Sequence, residues 1–152
     1  MTGQVRSAAS SRARRHSRTV EMVGLDHVEI AIPRGEEALA RLFYGPVLGL
    51  QEVRKARAVA GRDGAWFVGP GVAIQLIAAD PFRAPSNAHV ALLVSSVERA
   101  RRRLAKRDVP ILEEHMDGPP RRLVIGDPFG NRIELVDQGD AGFTDPRQRR
   151  RE

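Results

Sequence analysis

Cysteine is absent from the 152 residues, which excludes disulfides, iron–sulfur clusters, thiolate zinc sites and cysteine nucleophiles together. Any metal would have to be held by nitrogen and oxygen. Aromatic residues make up 5%, with one Trp and one Tyr, too few for a platform that stacks single-stranded nucleic acid. No apolar run approaches the roughly 20 residues of a membrane-spanning helix. Lysine is nearly missing as well: of 25 basic residues only Lys55 and Lys106 are Lys, an arginine bias of the kind a GC-rich genome imposes.

The net charge of +6 invites a nucleic-acid reading that its distribution does not support. Residues 1–22 carry five Arg and one Glu, and residues 138–152 carry four Arg against Asp140, Asp145 and Glu152. Residues 23–137 hold 16 basic and 15 acidic side chains, so the basicity lives in the tails and no nucleic-acid partner is expected. The first 22 residues are Ser, Ala and Arg with almost no apolar content, and are expected to be disordered. They superficially resemble a transit peptide but lack an apolar face at helical spacing. The simpler expectation is a start at Met22. Residues 138–152 are expected to form a second disordered, solvated tail.

The body repeats itself. Residues 25–32, LDHVEIAI, align with residues 87–94, NAHVALLV; both alternate as strands do, with His27 and His89 expected to open them at the same pleat. A short amphipathic helix is predicted after each. Residues 36–44 place Leu39, Leu42 and Phe43 on one face, and Val97, Ala100 and Leu104 do the same in the second copy, where Ser95 and Glu98 have capping-box spacing. Three short strands follow in each copy, at 51–55, 65–68 and 72–78, then at 111–114, 121–125 and 132–137. Turn chemistry joins the last two strands of each set: Gly69-Pro70-Gly71, and Asp127-Pro128-Phe129-Gly130-Asn131. The expectation is an α+β fold of two βαβββ modules, 23–79 and 86–137, forming an eight-stranded incomplete barrel around a cleft with the helices outside.

Strand parity locates the chemistry. Val28, Ile30 and Ile32 share the face that suits packing under a helix, and His27 and Glu29 point the other way. Gln75 is turned away from Ile74 and Leu76 in the same manner. In the second module His89 opposes Val90, Leu92 and Val94, and Glu134 opposes Ile133 and Leu135. If the modules pair by a pseudo-twofold, His27, Gln75, His89 and Glu134 converge. Two His and one carboxylate with open positions suit divalent Fe, Mn, Ni, Co or Zn.

LDHV at 25–28, FYGPVLGL at 43–50, HVAL at 89–92 and DPFGNRIE at 127–134 together resemble the vicinal oxygen chelate superfamily. It includes glyoxalase I, bleomycin-resistance proteins, fosfomycin-resistance transferases, methylmalonyl-CoA epimerase and extradiol dioxygenases. The resemblance spans residues 23–137, and its most specific piece is Asp127 to Glu134. It implies metal ligands at the positions of His27, Gln75, His89 and Glu134, a homodimer and a small anionic or oxygen-rich substrate; with no long apolar run, no membrane partner is expected. The chain is read as cytoplasmic.

Glyoxalase I usually has Glu at the position of Gln75, and a neutral amide cannot take a proton near neutral pH. Ordinary glyoxalase I activity is therefore not expected. With Glu134 as the sole charged ligand a divalent site keeps a charge of +1, which favours an anionic bidentate ligand. Isomerase, lyase, transferase and dioxygenase chemistry stay open. So does a metal-free, bleomycin-resistance type of binding protein.

Each residue also has a plainer reading. His27 and His89 could be hydrogen-bonded strand residues, Gln75 a cavity wall, and Glu134 a partner of Arg132. Glu29 is the nearest candidate for a catalytic base, though a rim charge fits it as well. Tyr44 is read as structural, His115 as an exposed loop residue, and Trp66, Phe67 and Phe129 as core or pocket lining. Arg121, Arg122 or Arg132 could supply charge for an anion.

Overall fold

The repeat read from the sequence is a repeat in space. The computed structural model describes residues 20–54 and 64–143; most of the basic leader and the residues beyond 143 lie outside these. The first module runs β1 (Val28–Pro33), α1 (Glu37–Leu42), a π-helical turn (Phe43–Val47), β2 (Gln51–Val53), β3 (Gly64–Gly69) and β4 (Val72–Ala79). The second runs β5 (His89–Val94), α2 (Val97–Ala105), β6 (Ile111–His115), β7 (Arg122–Gly126) and β8 (Arg132–Asp137), and ends in a 3-10 helix over Gln138–Phe143. That last helix occupies the start of the stretch expected to be a disordered tail.

Each module forms a four-stranded sheet, in the orders β1-β4-β3-β2 and β5-β8-β7-β6. The first strand runs parallel to the last and the other pairs are antiparallel. The α+β class and the two modules are as expected, and the eight strands stand as two separate sheets that do not close into a barrel.

One core serves both modules. Ile30, Ile32, Ile74, Leu76 and Phe67 of the first pack in the same cluster as Val97, Leu104, Leu123, Ile125, Ile133 and Leu135 of the second. Ile30, Ile32, Ile74, Leu76, Ile133 and Leu135 are the alternate residues predicted from parity; burying such a side chain contributes about 1.5–3 kcal/mol, which fixes the register. Gly64 is needed for close approach: at φ +130°, a Cβ there would meet the carbonyl oxygen of Leu76 at 2.0 Å.

The helices depart from the expectation in detail. Leu39 and Leu42 are 42% and 61% exposed, whereas Ala40, Phe43 and Tyr44 are buried. The reason is local: α1 lasts six residues before the chain widens into the π-turn. There Leu48 N–H bonds back five residues to the Phe43 carbonyl, at 3.0 Å. Pro46, which has no N–H, sits inside that turn. α2 is capped by Ser96, whose hydroxyl accepts from Arg99 N–H at 3.3 Å, one residue later than the capping box predicted. The buried carboxylate of Asp137 accepts the Val97 N–H at 3.1 Å, placing negative charge at the start of the helix.

Candidate metal centre

Glu134 is the centre of the second module's half of the site. It is opposite Ala91 on β5 and Val124 on β7, 8% exposed although it lies on the face away from the core. His89 Nε2 stands 3.1 Å from one carboxylate oxygen, and an Arg122 guanidinium nitrogen donates to the other at 3.2 Å. The expected alternative partner, Arg132, instead pairs with Glu113 across the sheet. Arg121 is neutralised elsewhere, by Asp140 and Glu98. Of the three arginines considered for anion binding, Arg122 is therefore the one held at Glu134.

The histidines share a feature that matters for ligation. His27 Nδ1 lies 2.6 Å from the Asp26 carboxylate, and His89 Nδ1 lies 3.4 Å from the Asn87 carbonyl. An imidazole that donates from Nδ1 keeps its lone pair on Nε2, as metal binding requires; His27 is placed for that, whereas His89 Nε2 faces the Glu134 carboxylate and must carry a hydrogen to bond it. His27 lies just before β1 rather than opening it, and its ring packs on Trp66 with centroids 4.8 Å apart. Gln75 is 3% exposed and is flanked in register by Glu29 and Trp66. Glu29 itself is exposed, as a rim charge would be.

The chain therefore brings together two of the four expected ligands, His89 with Glu134, while His27 and Gln75 belong to the other sheet. Among the described residues, no three His, Asp or Glu side chains of one chain gather as a metal-binding group. The donors present suit a divalent ion as half-sites: imidazole nitrogen and carboxylate in one module, imidazole nitrogen and amide in the other. A groove of about 390 Å³ elsewhere, between α1 and the loops around β6 and β7, is lined by Leu39, Leu42 and Pro110. It contains none of the polar site residues.

Several important contacts were not readable from the sequence. His115 ends β6 instead of lying in a loop, and is exposed as expected. Tyr44, fully buried, donates to Asp127 at 3.0 Å, which supports its structural role. Asp127 also accepts the backbone N–H groups of Phe129 and Asn131, at 2.9 and 2.8 Å. Asn131 reaches the Ala31 carbonyl on β1 at 2.9 Å, and Gly130 turns the loop with φ +91°. The most specific stretch of the sequence is thus a clamp between modules, with Glu134 carried on the strand that leaves it.

The sequence profile of the Glyoxalase/Bleomycin resistance protein/Dioxygenase superfamily matches residues 24–135. Among solved structures, a glyoxalase family protein from Bacillus anthracis is similar, with 32% identity and a TM-score of 0.73 over 78% of this chain and 98% of that one. The fosfomycin resistance protein FosX from Listeria monocytogenes shares the fold at 18% identity, with a TM-score of 0.61 over 77% of this chain and 94% of that one. Lactoylglutathione lyase from Agrobacterium tumefaciens shares it at 20% identity, with a TM-score of 0.56 over 74% of this chain and 93% of that one. No protein of curated function matches the sequence. The family match, the duplicated βαβββ architecture and the sheet topology lead to one conclusion: this chain belongs to the Glyoxalase/Bleomycin resistance protein/Dioxygenase superfamily, the vicinal oxygen chelate proteins.

Proposed function

We propose that the protein is a divalent-metal-dependent enzyme acting on a small, oxygen-rich anionic molecule, with His27, His89 and Glu134 as ligands and Gln75 as a neutral fourth or outer group. The observation that carries this reading is the approach of His89 Nε2 to Glu134 at 3.1 Å, with the Nδ1 atoms of both histidines already turned to oxygen acceptors. The half-sites lie on separate sheets, so we assign the complete centre to a homodimer in which His27 of one copy joins His89 and Glu134 of another. Fe, Mn, Ni, Co and Zn all suit such donors. When bound, the ion would act as a Lewis acid on adjacent oxygens of the substrate.

This chain's own groups narrow the chemistry. Gln75 cannot serve as a removable base, which argues against the reaction of lactoylglutathione lyase. Arg122, half-exposed beside Glu134, supplies positive charge where an anionic substrate would approach. FosX, a fosfomycin resistance protein of this fold, makes a phosphonate one reasonable member of the class. Elemental analysis of the parent and of His89→Ala, with light scattering for the mass, tests the assignment. A metal-replete parent that carries no stoichiometric metal, or that runs as a monomer, would overturn it.

A second reading is a metal-free binding protein of the bleomycin-resistance type. It is favoured by one observation: Glu134 is already paired with both His89 and Arg122, leaving the carboxylate satisfied without an ion. Calorimetry with small anions and with cationic glycopeptides, with and without metal, separates the two.

A further inference from the structure

Among the described residues, two buried side-chain nitrogens have no hydrogen-bond partner: Nε1 of Trp66 and Nε2 of Gln75. They are register partners across β3 and β4, so both orphaned donors fall at one place in the fold. An indole N–H can only donate, and an amide NH2 group is a donor twice over. A buried donor left unpaired forfeits its hydration without return. Two such donors on residues paired in register mark a place suited to receive an acceptor.

Their surroundings show which acceptor. Ala65, Phe67, Ile74 and Leu76, the chain neighbours of Trp66 and Gln75, belong to the hydrophobic core, so the pleat turns Trp66 and Gln75 to the opposite face. Glu29, the partner of Gln75 on β1, is exposed and takes neither donor. At the equivalent places in the second module stand Val124 and Glu134, an apolar side chain and a carboxylate. One half-site therefore offers donors and the other an acceptor. The His27 ring lies on the indole at 54° and is itself one-third exposed, just outside the ladder of β1.

We propose that Trp66 and Gln75 form a two-donor subsite for an oxyanion of the substrate, a carboxylate or phosphonate oxygen, beside the His27 ring that lies on the indole. The proposal deepens the functional reading above by naming the group recognised, and it rests on that reading only for the identity of the cleft. Gln75 then holds substrate next to the metal position.

Trp66 is the only tryptophan in the chain, so its emission reports on this spot alone. The full-length protein, stripped of metal by a chelator, is titrated with methylphosphonate and with oxalate against sodium chloride of matched ionic strength. The expected result is a saturable change in emission with at least one of the two anions. By calorimetry the affinity for that anion falls about ten- to a hundredfold in Trp66→Phe and in Gln75→Leu, as loss of one hydrogen bond to a charged group implies. A parent whose emission follows the salt control overturns the proposal without recourse to any variant. So do folded variants that bind the anion as the parent does. A parent that holds no metal yet shows the anion response loses the metal-dependent reading alone; one that holds metal without the response loses this subsite alone.

Discussion

The hydroxyl of Tyr44 and the carboxylate of Asp127 meet at 3.0 Å across 83 residues of sequence. They tie the helical turn of the first module to the β7–β8 loop of the second. Burial, and then the charge of Asp127, push the phenol well above its usual range, so it stays a neutral donor at any ordinary pH. With the Asn131 amide on Ala31, this contact holds the two sheets in one relative position. A site assembled from both modules depends on that position.

Tyr44→Phe removes one donor from an Asp127 that keeps three others, and is expected to cost about 1–2 kcal/mol. Asp127→Ala strands the N–H groups of Phe129 and Asn131 and the Tyr44 hydroxyl together, and is expected to cost about 3–5 kcal/mol. Urea melts of the two variants measure the difference. Equal losses would show that Asp127 matters only through Tyr44.

This clamp shows where the sequence is legible and where it is not. Alternation at Val28, Ile30 and Ile32 and the matching of His27 with His89 are local patterns, so the strands, their inward faces and the duplication could be read directly. The inward face of α1 is legible only at Phe43, because a π-turn with Pro46 follows after six residues and the buried side chains beside Phe43 are Ala40 and Tyr44 rather than Leu39 and Leu42. The bond from Tyr44 to Asp127 has no local signature at all. Nor does the choice of Arg122 over Arg132 at Glu134: it depends on where long side chains reach across strands, which parity alone does not specify.

Arg121 should govern acid stability. Its guanidinium bonds Asp140 at 2.7 Å and Glu98 at 3.0 Å, and holds the Asp140 carboxyl below its ordinary range. Glu98 is lowered too, first by its own backbone N–H, then by Ser96 and Arg121. Depressed carboxyl pKa values contribute stability above the ordinary carboxylate range, and lose it as pH falls through the lowered values. Arg121→Met is therefore expected to melt below the parent at pH 7, with the two curves converging as pH falls below the ordinary carboxylate range and through the lowered values. Melting curves that stay parallel over that window would place Arg121's contribution in packing.

Arg122 competes with a cation for Glu134. Its ion pair at 3.2 Å is about half-exposed, and such pairs are worth on the order of 0.2–1 kcal/mol. Arg122→Ala should tighten divalent-metal binding by roughly two- to fivefold, within that range. The same substitution should weaken anion binding to the metal-loaded protein. Competition with a chelating dye reads the first effect and calorimetry the second. Both affinities changing in the same direction would mean that the arginine acts by supporting the strand.

Gln75 distinguishes the two roles open to it. Gln75→Glu replaces a weak carbonyl donor with a charged one, and with Glu134 it would bring the charge of a divalent site to zero. Metal affinity is expected to rise by about tenfold or more if the side chain reaches the ion. The same change removes an N–H donor from beside Trp66 and sets a negative charge in its place. Oxalate and methylphosphonate should then bind the metal-free protein more weakly than the parent does, and Trp66 emission should lose its response. The two measurements are independent, because one needs the ion and the other is made without it. Tighter metal with unchanged anion binding would make Gln75 a ligand and nothing more. Unchanged metal affinity with lost anion binding would place it outside the coordination sphere, where its unpartnered amide holds substrate.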